Sequence, residues 1–216
     1  MRKLILKMSM SIDGFVGGAK SEVDWIFSSM DDGAVDWTMK SIWQAGVHIM
    51  GSRTFHDMAS YWPHSNEPYA APMNEIPKVV FSKSPSVTTA ARATTQALRD
   101  ASTNAGVAQA SRGDASKEQS WLNARVMSGD LATDIAQLKS EPGKDIMAHG
   151  GAGFARSLVR LGLVDEFQLL VHPVARGQGL PLFSELPKPI ALQLVSATTF
   201  PAGAIAHVYR PAPARQ

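Results

Sequence analysis

Short apolar runs alternate with polar turns along most of the chain. Leu4, Ile5, Leu6, Met8 and Met10 form a nearly continuous run, which is typical of a central strand buried on both faces. Similar runs predict further strands over residues 47–50, 78–81, 124–127, 145–148 and 167–171. Apolar residues at helical spacing predict helices over residues 33–44, 54–60 and 130–138, and another that carries Phe154. Gly46 is expected to end the first of these helices.

The order of these elements predicts an α/β fold. Strands that alternate with helices of about ten residues form a mostly parallel central sheet covered by helices on both faces. Residues 190–209 predict two strands around Pro201-Ala202-Gly203, which would add an antiparallel hairpin at the C-terminal edge. We therefore predict a single domain spanning residues 1–216.

Two segments depart from this pattern. Residues 63–77 are polar and rich in proline, and they predict a loop. Residues 88–120 are rich in Ala, Ser, Thr and Gln, with Leu98 and Val107 as their only large aliphatic residues. Such a segment buries little apolar surface, so we predict a flexible insertion with one Ala-rich helix around residues 90–101.

Composition excludes several classes of protein. The net charge of +2, without a dense basic stripe, argues against a nucleic-acid partner. The absence of cysteine removes disulfides and thiolate catalysis, and the six histidines show no paired metal-ligand spacing, so no metal site is expected. No apolar stretch approaches the roughly 18–20 residues of a membrane span, and Lys7 interrupts the N-terminal run, so we expect a cytoplasmic protein.

The strongest candidate site follows the predicted strand 145–148, as His149-Gly150-Gly151-Ala152-Gly153-Phe154. Glycines at a strand-to-helix turn let a diphosphate approach the backbone, where the free N–H groups of the helix start face the anion. A tight turn without a ligand is the alternative. The third glycine of the Rossmann fingerprint is missing, which disfavours an ordinary NAD-binding Rossmann domain.

Two further strand ends carry residues suited to phosphate. Gly51-Ser52-Arg53-Thr54 offers a glycine, a permanent cation and a hydroxyl, although a capped helix with a solvated arginine would look the same. Ser82 and Lys83 follow the strand 78–81. Because ligands of open α/β sheets gather at the carboxyl ends of strands, all three ends are predicted to hold one ligand.

The order and spacing of these motifs resemble a known family. Ser11-x-Asp13-Gly14, Gly51 to Thr54, the Ser-Lys strand end, His-Gly-Gly, Leu161-x-Leu163-Val164-Asp165-Glu166 and residues 173–183 are together similar to the dihydrofolate reductase-like family. The closer match is its RibD C-terminal branch, the reductase domain of bacterial riboflavin biosynthesis, over nearly the whole chain except the insertion. This resemblance implies a three-layer fold and an NADPH-dependent reductase similar to 5-amino-6-(5-phosphoribosylamino)uracil reductase. Dihydrofolate reductase activity, or a nucleotide-binding module without turnover, are the alternatives.

The resemblance also implies roles for the cofactor-site residues. Gly150, Gly151 and Ala152, with Gly153 and Phe154 after them, would face the NADPH pyrophosphate. Gly51 and Thr54 would hold phosphate from the opposite side, and Arg53, Ser82 and Lys83 would recognise the 2′-phosphate. The chain departs from the common Gly-Arg-x-Thr pattern of the family, because Ser52 occupies the arginine position.

On the substrate side, Asp13 lies at the end of the first strand and is a candidate for catalysis and for substrate binding, with a structural turn aspartate before Gly14 as the alternative. Asp36 falls near the carboxylate with which dihydrofolate reductases polarise the pterin, with Asp31 and Asp32 as competitors and a solvated helix start as the alternative. Trp25 is a candidate wall of the nicotinamide pocket or of the small-molecule substrate pocket, with core packing as the alternative. An apolar sheet edge at the C-terminal hairpin suggests a homodimer.

Overall fold

The computed structural model describes residues 1–20, 22–84, 87 and 115–213. In chain order it contains β1 (Leu4–Ser11), a 3₁₀ helix (Asp24–Ser29), α1 (Asp32–Trp43), β2 (Ala45–Gly51), α2 (Ser52–Tyr61), a second 3₁₀ helix (Trp62–His64), α3 (Ala70–Glu75) and β3 (Lys78–Phe81). The elements after residue 114 are α4 (Ala115–Leu122), β4 (Arg125–Met127), α5 (Leu131–Ser140), β5 (Asp145–His149), α6 (Ala152–Arg160), β6 (Glu166–His172), β7 (Leu192–Thr199) and β8 (Ile205–Pro211). No helix in these ranges is long and apolar enough to cross a membrane.

The strands form one sheet in the order β4-β3-β2-β5-β1-β6-β8-β7. All pairs from β4 to β6 are parallel, and β8 and β7 add an antiparallel hairpin beside β6. The predicted strands and the mostly parallel sheet with its C-terminal hairpin are confirmed. β1 lies at the centre between β5 and β6, as its continuous apolar run requires.

Helices cover both faces of the sheet and form its two largest apolar cores, one on each face. On one face, α5 and α6 contribute Ile135, Leu138 and Leu158. On the other face, α1, α2 and α4 contribute Ile42, Phe55 and Trp121. Alternate residues of the central strands therefore point into different cores, and a polar residue within a strand faces one particular helical layer.

Local details of the sequence prediction need three corrections. Gly46 does not end the first helix, because α1 ends at Trp43 with Gln44 as its C-cap and Gly46 already lies in β2. A side chain at Gly46 would collide with the backbone of Lys144, so this glycine serves strand packing. The predicted loop 63–77 contains α3, in which Pro72 and Met73 are buried. The second predicted helix begins at Ser52 rather than at residue 54.

The predicted flexible insertion must be shortened at its C-terminal end. Residues 115–120 belong to α4, whose Trp121 is buried in the core against Phe55. Residues 88–114, and with them the predicted Ala-rich helix, lie outside the described residues. The sequence did not indicate this end, because Trp121, the buried residue of α4, comes one residue after the polar stretch.

Candidate functional site

The three predicted strand ends lie side by side at the carboxyl ends of neighbouring parallel strands. β3, β2 and β5 are neighbours, and Gly51 and Phe81 are in register at the ends of β2 and β3. The ring of Phe154, in the first turn of α6, lies 5.1 Å from the ring of Phe81, between centroids. A Cβ on Gly51 would lie 3.3 Å from the Cβ of Phe154, so only a small residue allows this approach. Phe154, which follows β5, therefore packs against the ends of both β2 and β3.

Two helices begin at this edge without a side-chain cap. Gly51 and Gly151 are the N-caps of α2 and α6, and neither position carries a capping side chain. By contrast, Asp31 accepts a hydrogen bond from Ala34 N at the start of α1, and Asp130 caps α5 in the same way. The first N–H groups of a helix need an acceptor from outside the helix. The starts of α2 and α6 are therefore suited to binding an anion.

The backbone of the glycine turn explains why glycine occupies it. Gly150 and Gly151 have φ of 30° and 67°, in the left-handed region that side chains disfavour. A Cβ on Gly151 would also lie 2.8 Å from Thr54 Oγ1, which belongs to the facing helix. Any side chain at Gly151 would thus strain the fold as well as the site. Gly153 differs, because its conformation is helical and its Cβ would point into open space.

A cleft of about 390 Å³ lies between the two helix starts. The described residues that line it are Ala19, Gly51, Ser52, Arg53, Thr54, Gly151, Ala152, Gly153, Phe154, Arg156 and Leu180. It therefore contains most of the predicted cofactor residues, and two arginines supply its positive charge. Arg156 was not predicted from the sequence, although its position four residues after Ala152 on a helix that starts at a phosphate-type turn would have been a signal.

Ser82 and Lys83 lie beside this cleft rather than in its lining. They follow β3, which is adjacent to β2, and Lys83 Nζ donates to the carbonyl of Gly129 over 3.4 Å. Lys83 is exposed. Hydrogen bonds from Thr133 at the start of α5 are the main cause of the lowered pKa of Asp130, and the charge of Lys83 lowers it further. The Lys83 side chain is therefore held near the strand end by a long hydrogen bond to a backbone carbonyl and by the charge of Asp130. A bound phosphate could replace these contacts.

The Asp13 carboxylate links the turn after β1 to the loop that contains Arg176 and Gly177. Its carboxylate accepts hydrogen bonds from Ser11 Oγ at 2.5 Å and from the backbone N–H groups of Gly177 at 2.7 Å and Arg176 at 3.0 Å. The Ser11 and Gly177 bonds lower the pKa of Asp13 to about 2. The group is exposed and ionised at neutral pH, so it is an acceptor and not a proton donor there.

The other two substrate-side candidates belong to different helices. Asp36 is exposed on α1, whose buried face is formed by Ala34, Thr38, Ser41 and Ile42. Trp25 lies in the first 3₁₀ helix, with its ring edge-on to His172 at 5.6 Å and the Arg176 guanidinium 5.4 Å from its centroid. Trp25 therefore packs at the carboxyl end of β6, whereas Asp36 makes none of these contacts.

Known proteins resemble this chain over nearly its whole length. An uncharacterized protein of Bacillus subtilis, YyaP, is 29% identical over 208 residues, which are 96% of this chain and 94% of that protein. A putative riboflavin biosynthesis protein from Shewanella has the same fold, with a TM-score of 0.68 at 19% identity over 99% of this chain and all of that one.

A dihydrofolate reductase from Enterococcus faecalis, solved with NADP(H) and an inhibitor named RAB-propyl, also has this fold. Its TM-score is 0.56 at 12% identity, covering 97% of this chain and 96% of that one. The predicted dihydrofolate reductase-like fold is thereby confirmed. The sequence-family model of the RibD C-terminal domain matches residues 2–206 of this chain. The chain therefore belongs to the RibD C-terminal domain family.

Proposed function

We propose that this protein is an NADPH-dependent reductase that transfers hydride to a small heterocyclic or sugar-derived metabolite, in the manner of 5-amino-6-(5-phosphoribosylamino)uracil reductase. The observation that carries the proposal is the cleft where two uncapped helix starts meet two arginines. Membership of the RibD C-terminal family supports it. The NADP(H) complex of the similar dihydrofolate reductase supports the choice of cofactor.

The residues of the cleft suit the phosphates of a dinucleotide. Backbone N–H groups of Gly151, Ala152 and Gly153 would hold the pyrophosphate from α6, where the open space beside Gly153 leaves room for it. Thr54 and Arg53 would hold it from α2, and Arg156 would add a second cation. NADPH itself supplies the hydride from its nicotinamide ring, while the protein orients it and excludes water.

Dihydrofolate reductase activity and nucleotide binding without turnover are the competing functions. NADPH is titrated into the protein and its fluorescence is followed. Either 5-amino-6-(5-phosphoribosylamino)uracil or 7,8-dihydrofolate is then added, and the absorbance of the reduced nicotinamide is recorded. Oxidation with the aminouracil supports our proposal, and oxidation with dihydrofolate alone supports the first competitor. Binding without any oxidation supports the second, and no binding at all refutes all three.

Lys83→Ala is expected to reduce the preference for NADPH over NADH. A 2′-phosphate would lose one charge-assisted hydrogen bond, so NADPH affinity should fall about tenfold, equivalent to about 1.4 kcal/mol, while NADH affinity stays unchanged. Fluorescence titration of both cofactors measures the ratio. Lys144→Ala serves as the control, because Lys144 is exposed at the opposite end of β5. Equal losses for both cofactors would contradict the role given to Lys83.

The homodimer and the single-domain organisation stay predictions. The strand with which a second copy would pair is β7, which lies at the edge of the sheet. Leu194 and Val195 of this strand are 51% and 47% exposed, so they would offer apolar contacts to a second copy.

A further inference from the structure

An apolar groove of about 640 Å³ lies between the end of α6 and the C-terminal hairpin. Val159 of α6, with Val164 and Phe167 at the start of β6, forms its buried part. Ile190 and Leu192, at the start of the hairpin, form its partly exposed part. None of these residues lines the cofactor cleft, which lies at the other end of α6. The groove is therefore a separate site.

The topology of the chain leaves this groove open. On this face of the sheet, α5 and α6 pack over the parallel strands. The chain then passes from β6 to β7 through residues 173–191, which are all described and contain no helix. Gly162, which follows α6 with a φ of 65°, has open space where a Cβ would stand. A small molecule can therefore enter the groove from solvent without displacing a helix.

Prolines make part of the groove rigid and poor in hydrogen-bond donors. Pro189, Pro211 and Pro213 belong to its lining, and a proline has a fixed φ and no backbone N–H. The backbone N–H of Ala212 is also engaged, because it donates to the carbonyl of Ala191 at 2.8 Å. A ligand would have little chain to order on binding, which reduces the entropic cost. This part of the groove is suited to an apolar body.

Lys188 supplies the charge of the groove. All the other described lining residues are apolar or glycine. Lys188 is exposed and forms no hydrogen bond or ion pair with any residue that the structure describes. The neighbouring cation on α6 differs, because Arg160 is paired with Glu185 at 3.3 Å. The ammonium of Lys188 is thus available to an anion at the edge of an apolar surface.

We propose that this groove binds a small amphipathic carboxylate, with its apolar body between α6 and the hairpin and its carboxylate on Lys188 Nζ. The volume lies within the range of roughly 300–1,000 Å³ that is usual for small-molecule sites. A second copy of this chain is the competing occupant. It would present its edge strand β7, whose residues Leu192–Thr199 include no acidic side chain to meet Lys188. This site goes beyond the proposed reductase function and does not depend on it.

Two fluorescent probes test the apolar and the charged part separately. 8-Anilinonaphthalene-1-sulfonate has an apolar ring system with one anionic group, and N-phenyl-1-naphthylamine has the same rings without the charge. Both are titrated in saturating NADP⁺, which keeps them out of the cofactor cleft. Lys188→Glu should weaken binding of the sulfonate about tenfold and that of the neutral probe by less than about twofold. Decanoate should displace the sulfonate from the wild type.

Ala212→Phe should weaken binding of both probes about tenfold, because its ring would occupy the groove. Should this variant fail to fold, as judged by thermal unfolding, Lys188→Glu still tests the inference, since Lys188 is exposed. Lys40→Glu is the matched control, because it reverses an exposed charge on α1, which covers the opposite face of the sheet. It should bind both probes as the wild type does.

The inference is overturned if neither probe binds in the presence of NADP⁺, or if Lys188→Glu weakens both probes equally or neither of them. It is also overturned if Ala212→Phe folds and binds both probes as tightly as the wild type. Weaker binding at protein concentrations where a dimer forms, as measured by sedimentation, would assign the groove to a second copy instead. Each of these results leaves the proposed function intact, because that function is tested by oxidation of NADPH.

Discussion

Replacing Trp121 with alanine should lower the free energy of unfolding by about 3–5 kcal/mol, the usual cost of truncating a fully buried aromatic residue. Trp121 is 1% exposed and packs against Phe55 in the core between α2 and α4. Its Nε1 donates a hydrogen bond to Asn74 Oδ1 at 2.8 Å, and Lys78 Nζ lies 4.7 Å from its ring centroid. The substitution therefore removes apolar packing and a buried hydrogen bond together.

Denaturant unfolding followed by circular dichroism measures this change. Trp121→Phe keeps most of the apolar contact but leaves Asn74 Oδ1 without its donor, so it should cost about 1–3 kcal/mol. This graded pair distinguishes the packing contribution from the hydrogen bond. If Trp121→Ala unfolds at the wild-type denaturant concentration, α4 is not part of the core, and residues 115–120 belong with the insertion after all.

Gly153→Glu should weaken NADPH binding about 100-fold, equivalent to about 2.7 kcal/mol, without destabilising the protein. The new carboxylate would occupy open space in the first turn of α6, where it lines the cleft and opposes the phosphates. The same change suits the free protein, because glutamate has a higher helix propensity than glycine and a negative charge favours a helix N-terminus. Stability and binding are thus expected to move in opposite directions.

Fluorescence titration of NADPH, together with thermal unfolding of the free protein, tests both halves of this prediction. Gly153→Gln is the matched control, since it has nearly the same shape without the charge and should weaken binding much less. The difference between the two variants should shrink in high salt, because the repulsion is screened. Equal affinities for Gly153→Glu and the wild type would remove the start of α6 from the cofactor site.

The strands and the glycine turn could be predicted from the sequence because both depend on neighbours within a few residues. The apolar run of β1 indicates burial on both faces wherever the strand lies in the sheet. The turn at Gly150 and Gly151 is evident from the residue type alone, since few other residues accept its backbone conformation. The α3 helix was missed because its burial depends on the core against which it packs, and not on a long local pattern.

The site was only partly predictable, for a related reason. Asp13 looked chemically available in the sequence, yet its carboxylate is engaged by the backbone of the loop around Gly177, far along the chain. Arg156 was not predicted as a site residue, because the cleft around it is formed by elements distant in sequence. Lys7 is a charged residue within a mostly buried strand, and the sequence does not indicate which groups surround it.

The sequence by itself determined the strands, the order of the phosphate-suited strand ends and the family likeness, since these follow from local periodicity and short motifs. Tertiary structure decided which helix starts face each other and which charges lose their water. Gly151 and Thr54 meet because β2 and β5 are neighbours in the sheet. Lys7 lies beside His149 and Gln168 because β1 lies between β5 and β6. The chemistry of a charged group depends on its surroundings in space, and these are assembled by strands, helices and loops from distant parts of the sequence.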